Sequence, residues 1–483
     1  MALAPVIALL GRLISLFAVT MLAPALCALA YGEFFAAGIF AGSAAVTVFF
    51  GVAMIFATQG AENSLRRGVD FLLVVAVWPI IAGFAAAPFL LLDVVATPTD
   101  AFFEAFSGLT TTGATVIGGL DDQLRSVLFW RAFLQWLGGL ATIVMAVSVL
   151  PMLGAGGMQV FRGAMPHGDH ATIVDRVRRS AMTLSWIYSL LTLICVGALW
   201  AAGMSGFDAV AYAFSTISSG GFIPHDGFVG DIANPMIEAI LMIFMVVGIV
   251  NFTLYWALLH GRPSVFHLDE ECRMLYLIVL FAALLAILVL NQQAGLGALD
   301  SLRQGLFSTL SMISTTGFVY GLVEPWPTML PVLFLGLVFI GGSSGSTAGG
   351  IKLMRLCLAV RQGRRELERL AHPHGVVRIH YGGQAVPEPV VQALWSFFIL
   401  YMVSFAGLSI MLSVFGLDPA EAVPMALATL TNAGAGLPLM TGGEAAYAVL
   451  PAAAKWILCF GMLMGRLELV AVVTVLTPMF WRS

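Results

Sequence analysis

Apolar stretches alternate with short polar connections along the whole chain, and their lengths fall into two classes. Runs of roughly twenty or more apolar residues can cross ~30 Å of hydrocarbon as a helix. They predict spans at 3–30, 34–58, 70–96, 126–152, 180–203, 233–260, 273–294, 327–360, 389–415 and 446–480. Four further apolar segments, at 100–112, 208–220, about 300–316 and about 418–433, are too short to cross. A helix of about eleven residues is only about 16 Å long, so each of these must enter and return on the same side. Irregular backbone at that depth is tolerated only where protein or a wet cavity surrounds it.

The four short segments repeat one another. "FSGLTTTGA" begins at Phe106, "FSTISSGGF" at Phe214, "LSMISTTGF" at Leu310 and "LATLTNAGA" at Leu427. Aligned, they superimpose Gly113, Gly221, Gly317 and Gly434. Asp100, Asp208, Asp300 and the pair Asp418-Pro419 precede them, which reads as Asp N-caps with Pro at the first helical position. The glycines in turn read as C-terminal caps. Two full spans separate successive copies, so all four loops return on one face, as parallel repeats around one axis. Four helix C-termini would then aim their negative dipole ends at that axis. Beyond them, T-x-G or N-x-G backbone can turn carbonyl oxygens inward, and rings of carbonyls that replace a cation's hydration shell form selectivity filters. The hydroxyls of Thr110–Thr112, Ser218, Ser219 and Ser314–Thr316 can brace that backbone or add oxygens. Asp121, Asp122, Asp226 and Glu324 follow the loops and either concentrate cations there or are ordinary solvated charge.

The predicted fold is an all-α polytopic membrane protein with two N-terminal transmembrane helices (1–60). Four helix–pore-loop–helix repeats follow around a pseudo-fourfold pore, at 61–179, 180–271, 272–388 and 389–483; the third carries a broken helix and a basic segment. Composition agrees: of 483 residues 60% are hydrophobic and only 10% charged, against roughly 25% charged in soluble domains. A net charge of −4 gives no sign of nucleic-acid binding. Arg66, Arg67, Arg162, Arg176, Arg178, Arg179, Arg262, Arg273 and the run Lys352 to Arg378 fall on one side, with little beyond Arg125 and Arg303 opposite. The positive-inside rule places the first set, and with ten spans both termini, in the cytoplasm. "LCALA" near residue 30 resembles a signal-peptidase site, but no Lys or Arg precedes Arg12 and a second apolar segment follows at once, so a retained first span is expected. Five singly scattered cysteines argue against a disulfide framework or zinc site. His167, Asp169 and His170 could form a metal pair but read better as a solvated loop.

"GGSSGSTAGG", 341–350, lies midway through a predicted span. It carries five glycines and no bulky side chain. At a cost of ~1 kcal/mol per Gly it cannot hold a helix. Just inside the third loop it could obstruct a pore and move aside; close packing through small residues is the rival account. Lys352 follows Ile351 rather than Gly, which excludes a Walker motif. Arg466 lies mid-span, where charge costs on the order of 3 kcal/mol and points to function. Glu468, two residues on, faces another side of the helix, and a structural salt bridge elsewhere in the bundle is the competing role for Arg466.

The chain resembles the TrkH/KtrB superfamily of potassium transporters over nearly its whole length. The resemblance is carried by "SGLTTTGATV", "RAFLQWLGG" at 131–139, "GGSSGSTAGGIK" at 341–352 and "GRLE" at 465–468. The two spans before residue 60 resemble the extra pair of the TrkH branch. The resemblance implies a potassium-binding filter made of Thr111, Thr112 and Gly113; Ser219, Gly220 and Gly221; Thr315, Thr316 and Gly317; and Asn432, Ala433 and Gly434. Glycine at all four key places is the family's arrangement for potassium over sodium. It also implies an intramembrane gate, Gly342, Ser343, Ser344, Gly345, Ser346, Thr347, Ala348, Gly349 and Gly350, with Arg466 as the pore-proximal arginine. Further implications are a homodimer in the bacterial inner membrane, docked to a cytosolic nucleotide-binding regulatory subunit of the TrkA type. The chain has no nucleotide-binding glycine fingerprint of its own, and potassium is the only ligand implied, with no organic cofactor. Two other classes stay open at this point. One is a proton- or sodium-coupled secondary transporter with a midplane site. The other is an intramembrane serine protease using Ser344 or Ser346, which would need a nearby base; the last histidine, His380, lies in a loop.

Overall fold

The computed structural model describes residues 4–59, 69–149, 173–321, 327–373, 375, 377–434, 436, 447–467 and 469–481. His167, Asp169, His170, Glu324 and Glu468 lie outside the described residues. Among the described residues the regular structure is helical apart from one two-stranded hairpin, β1 (His380–Tyr381) against β2 (Gln384–Ala385).

An N-terminal pair comes first: α1 (Ala4–Thr20) and α2 (Leu22–Ala30) run on as one span, with a single turn residue at Met21, and pack on α3 (Phe34–Ala57). The first repeat is α4 (Val69–Leu91), the short α5 (Pro98–Leu109) and α6 (Arg125–Val144). The second is α7 (Ile173–Ala201), α8 (Gly206–Ile217) and α9 (Pro235–Ile249), with α10 (Phe252–Leu259) and the small α11 (Val265–Leu268) following. The third is α12 (Glu270–Gln293), α13 (Ala298–Ile313) and α14 (Met329–Ile340), continued after a loop by α15 (Leu353–Ala371). The fourth is α16 (Glu388–Val414), α17 (Pro419–Leu430) and α18 (Ala452–Arg466), with α19 (Leu469–Leu476) and α20 (Pro478–Trp481) at the end.

Seven of these helices, counting α1 with α2, are long and apolar enough to cross a membrane. The pairs α9–α10 and α18–α19 pass the same test as bent spans, and α14 is a shorter apolar helix. Every one of the ten predicted spans thus has a counterpart, but three are broken rather than continuous. The span expected at 233–260 bends by 99° between α9 and α10. Its break lies at Val250-Asn251, where Asn251 turns its side chain to cap α10 at the Thr253 N–H. Large apolar side chains such as Phe34, Phe35, Phe49, Leu193, Trp200, Phe281 and Ile399 are exposed on the spans. Water would penalise such a surface, whereas lipid tails do not.

The four short helices form a closed ring. In each repeat the second span packs on the short helix of the next repeat: α6 on α8, α9 on α13, α14 on α17, and α18 back on α5. Aromatic rings fill the first of these junctions, where Phe133 and Trp136 of α6 lie 5.7 and 5.5 Å from Phe214 of α8. The helix starts differ from expectation. Thr97 and Ser205 are the N-caps of α5 and α8, accepting from the Asp100 and Asp208 N–H groups at 3.1 Å. Asp100 and Asp208 sit one turn in, where their carboxylates accept from those cap hydroxyls at 2.7 Å. The cap position N-terminal to α13 is Gly297, with Asp300 in the first turn. Asp418 before Pro419 alone occupies the place the sequence suggested.

Candidate functional site

The site grows out of the way the short helices end. α5, α8 and α17 finish in the same motif, in which the second residue past the cap donates its N–H to the carbonyl five residues back. Thr112 donates to Ser107, Gly220 to Ser215 and Ala433 to Ala428, at 2.8–2.9 Å. In α13 the equivalent bond runs one residue later, from Gly317 to Ser311 at 3.2 Å. Such an end needs one residue in the left-handed region. It is not the glycine. Thr111, Ser219, Thr315 and Asn432 take it, with φ of 51°, 55°, 57° and 52°. The candidate glycines lie two residues further on and are not the helix caps the sequence suggested. Three of them are also left-handed: Gly113 at 82°, Gly221 at 85° and Gly317 at 71°. A left-handed β-branched threonine is an outlier that costs about 1–2 kcal/mol. Strain of this kind persists where surrounding structure fixes it, and it concentrates at functional sites.

The four segments are buried yet not equivalent. Thr110 and Thr112 share a hydroxyl contact at 2.8 Å, as do Ser314 and Thr316; the second and fourth repeats carry Gly220 and Ala433 where a partner hydroxyl would stand. Gly220 has a physical cause: a Cβ there would meet the Gln135 side chain at 2.3 Å, and the Gln135 carbonyl oxygen accepts from the Phe222 N–H at 3.1 Å. In the fourth segment the Gly434 N–H donates to the Thr112 carbonyl at 2.7 Å, and Asn432 Nδ2 donates to Thr112 Oγ1 at 3.0 Å. The first and fourth segments are therefore tied directly together across the ring closure.

Behind the segments stand buried ion pairs that the sequence reading did not assign. Arg131 Nε donates to Glu104 Oε1 at 2.8 Å, with both side chains at 2% exposure or less. The same guanidinium lies 4.2 Å from the Phe222 ring centroid and reaches Thr115 Oγ1 at 2.9 Å, while Glu104 accepts from the Val116 N–H. One pair thus positions the strands leaving the first and second segments. Arg303 holds Glu238 through two bonds, at 2.6 and 3.1 Å, between the third and second repeats. Lys455 meets Asp100 at 2.5 Å between the fourth and the first. The available signal was a single ionisable residue inside each apolar segment, "FFEAF", "MIEAI" and "AAKW", a placement that is expensive in a membrane and marks a function.

On the inner side of the ring lies the glycine-rich loop 341–352, which has no helical turn. It is docked on the break between α9 and α10. The helix end at Ile249 leaves orphan carbonyls. The Ser343 N–H donates to Ile249 O at 2.9 Å, and Thr347 Oγ1 to Gly248 O, also at 2.9 Å. The Phe252 N–H in turn donates to Gly345 O. From this seat the loop reaches three segments: Thr347 Oγ1 meets Ser219 Oγ at 2.8 Å, the Gly349 N–H donates to Thr315 Oγ1 at 2.8 Å, and the Gly350 N–H donates to Thr431 O at 3.2 Å. Arg466 supplies the fourth contact. Its Nε donates to Thr110 O at 2.8 Å and its Nη1 to Thr347 O at 3.0 Å. Arg466 is not in mid-helix but the last residue of α18, 6% exposed, where a helix C-terminus favours positive charge. Its acceptors among the described residues are backbone carbonyls, and Nη2 is without a hydrogen-bond partner there. A cavity of about 40 Å³ beneath the loop is lined by Ser344, Gly345, Ala348, Gly349, Lys352 and Arg466, among others.

On the opposite side, His225 bridges two repeats. Its ring nitrogens lie 2.8 Å from Asp121 and 3.0 Å from Asp208, and Arg125 is 3.9 Å from Asp208. Partial burial pulls the imidazolium pKa down, but the hydrogen bonds and charges of Asp121 and Asp208 outweigh it, leaving the pKa above its ordinary value. Asp226 accepts from the Asp121 N–H at 3.2 Å, and Asp122 sits beside it on the same short turn.

Four parallel re-entrant helices in a closed ring, with a loop and a buried arginine spanning their ends, define a polytopic membrane transport protein rather than an enzyme. The chain belongs to the TrkH family, described as cation transport protein, which matches residues 38–483. It is 41% identical to the Trk system potassium uptake protein TrkH of Vibrio parahaemolyticus serotype O3:K6, over 99% of each chain. To the protein of the same name from Escherichia coli K12 it is 40% identical over 98% of each. Among solved structures, the potassium transporter TrkH from Vibrio parahaemolyticus matches with a TM-score of 0.91 at 40% identity, covering all of both chains.

Proposed function

We propose that this chain is the membrane-spanning, ion-conducting subunit of a potassium uptake system. Potassium passes a filter lined by backbone oxygens of Thr111–Gly113, Ser219–Gly221, Thr315–Gly317 and Asn432–Gly434. Loop 342–350, with Arg466, is the gate beneath it. The observation that supports this reading most is that loop and arginine together bond to all four helix ends, at Thr110, Ser219, Thr315 and Thr431. A non-helical plug that touches every segment of a ring suits a gate better than a packing element. The basic run after Lys352 faces the cytoplasm of a bacterial cell, as do both termini, with the filter mouth outside the inner membrane. The subunit pairs with a second copy, and a cytosolic nucleotide-binding partner of the TrkA type acts on the basic segment that continues from the gate.

The decisive measurement is flux through the purified chain in liposomes, comparing potassium, rubidium and sodium with and without a proton gradient. Potassium and rubidium are expected to pass and sodium to pass much less. Flux that stops without a proton or sodium gradient would favour a coupled secondary transporter, and no cation flux at all would end the reading.

A further inference from the structure

Glu271 is the second residue of α12, on the basic side, and is 3% exposed. It is not the helix cap; Asp269 fills that role, accepting from the Cys272 N–H at 2.9 Å. Glu271 Oε2 instead accepts from the Ser344 N–H at 2.6 Å, inside the glycine-rich loop. Its other oxygen, Oε1, accepts from the Tyr381 hydroxyl at 2.7 Å. Tyr381 belongs to the β1–β2 hairpin, in the basic segment beyond α15. A buried carboxylate is costly unless donors surround it, and these two donors come from the two structures that a regulator would need to connect.

The hairpin is fastened to the same helix start. Arg361 of α15 pairs with Glu270 at 2.7 Å and donates to the His380 carbonyl. The Ser343 and Ser344 hydroxyls have no hydrogen-bond partner among the described residues. The Ser344 N–H thus ties this part of the loop to α12. The Ser344 bond is short, at 2.6 Å, and one well-made buried hydrogen bond can bias a two-state loop.

We propose that Glu271 is a positioning residue that transmits the position of the β1–β2 hairpin to the gate loop and holds the loop closed while Tyr381 is docked. The inference rests on reading 342–350 as a gate. Displacing the hairpin removes one donor from a buried carboxylate, and Glu271 then gains by moving toward water and releasing Ser344.

The test is rubidium flux through the full chain in liposomes, for wild type, Tyr381→Phe, Glu271→Gln and the double variant, with melting curves in detergent alongside. Tyr381→Phe removes one hydroxyl and is expected to keep the wild-type melting temperature while raising basal flux several-fold. Glu271→Gln is expected to raise it on the order of tenfold, the bias of one buried hydrogen bond. The double variant is expected to conduct no more than Glu271→Gln, since both changes remove one restraint. Wild-type flux in both single variants, effects that multiply in the double, or lowered melting with no gain in flux would each overturn the proposal. Deleting residues 343–348 separates the two levels. If that variant conducts more while the Glu271 and Tyr381 variants do not, the link alone fails. If it too conducts as wild type, the gate reading fails with it.

Discussion

Arg466 combines two roles that physics usually separates. It satisfies the carbonyls of Thr110 and Thr347, and it brings a full positive charge beneath the proposed filter. One elementary charge at roughly 7 Å and an effective dielectric near 20 raises a cation's energy by about 2 kcal/mol. Arg466→Gln keeps a donor and removes the charge, so flux is expected to rise on the order of tenfold; reduced flux from a well-folded variant would assign the residue to structure instead. Thr111 poses a different residue-scale question. Its φ of 51° is strained and its hydroxyl has no partner among the described residues. Thr111→Gly relieves the left-handed strain at the cost of backbone entropy, so stability is expected to stay level or rise by up to about 1 kcal/mol, read as the unfolding midpoint in detergent. A loss of several kcal/mol would show that the threonine is held by contacts rather than against its own preference. His225 gives a pH signature. Its pKa is raised in the folded state, so its stabilising contribution is complete below the ordinary value of 6.5 and fades as pH climbs through the raised one. Wild-type melting temperature should therefore drop slightly between pH 6 and pH 9, and His225→Gln should flatten that slope.

At the scale of elements, broken helices do the work, and they were only partly legible in the sequence. The loop 341–350 announces itself because five glycines in ten residues cannot stay helical. The four short helices announce themselves because their apolar length is half of what a span needs. What lies between such signals depended on partners far away in the chain. The break at Val250-Asn251 lies in an unremarkable apolar run, and it exists because loop 341–352 supplies donors for the orphan carbonyls of Gly248 and Ile249. The glycines drew attention to themselves as helix caps, although the left-handed turn falls two residues earlier, on Thr, Ser, Thr and Asn; where the last helical bond forms decides this, not which residue tolerates it best. Arg466 read as mid-span because nothing local marks the end of α18, and its acceptors lie 356 and 119 residues away. The docked loop also makes a sharp prediction. A Cβ on Gly349 would stand 1.7 Å from the Thr431 carbonyl, a distance that backbone cannot accommodate. Gly349→Ala is expected to unseat the loop from the fourth segment and raise basal rubidium flux several-fold in liposomes, while the spans still insert. Wild-type flux would mean that the loop does not occlude the path where it now sits.

For the whole molecule, four repeats make a ring only if the last one closes on the first, and the contacts there come from residues hundreds of positions apart. Lys455 Nζ bonds Asp100 Oδ1 and the Ala448 carbonyl, while the other Asp100 oxygen accepts from Thr97 Oγ1. The two side chains are 6% and 16% exposed. Beneath this pair, the Gly434 N–H and the Asn432 amide reach the Thr112 carbonyl and hydroxyl. The ion pair and the two segments of the candidate filter are thus one junction. Removing only the lysine leaves a carboxylate with little water and no counter-charge, which costs about 3–5 kcal/mol for a fully buried pair, and toward the lower end here because Asp100 keeps some exposure. Lys455→Met should therefore melt well below wild type in detergent. The double variant Lys455→Met/Asp100→Asn should recover more than half of the loss, because no orphan charge remains. The functional consequence follows from the shared junction: loosening it lets the fourth segment drift from the first, so rubidium-over-sodium discrimination in liposomes should fall in the single variant and return in the double. A single variant that melts and discriminates as wild type would mean that packing of α18 on α5 closes the ring without this pair.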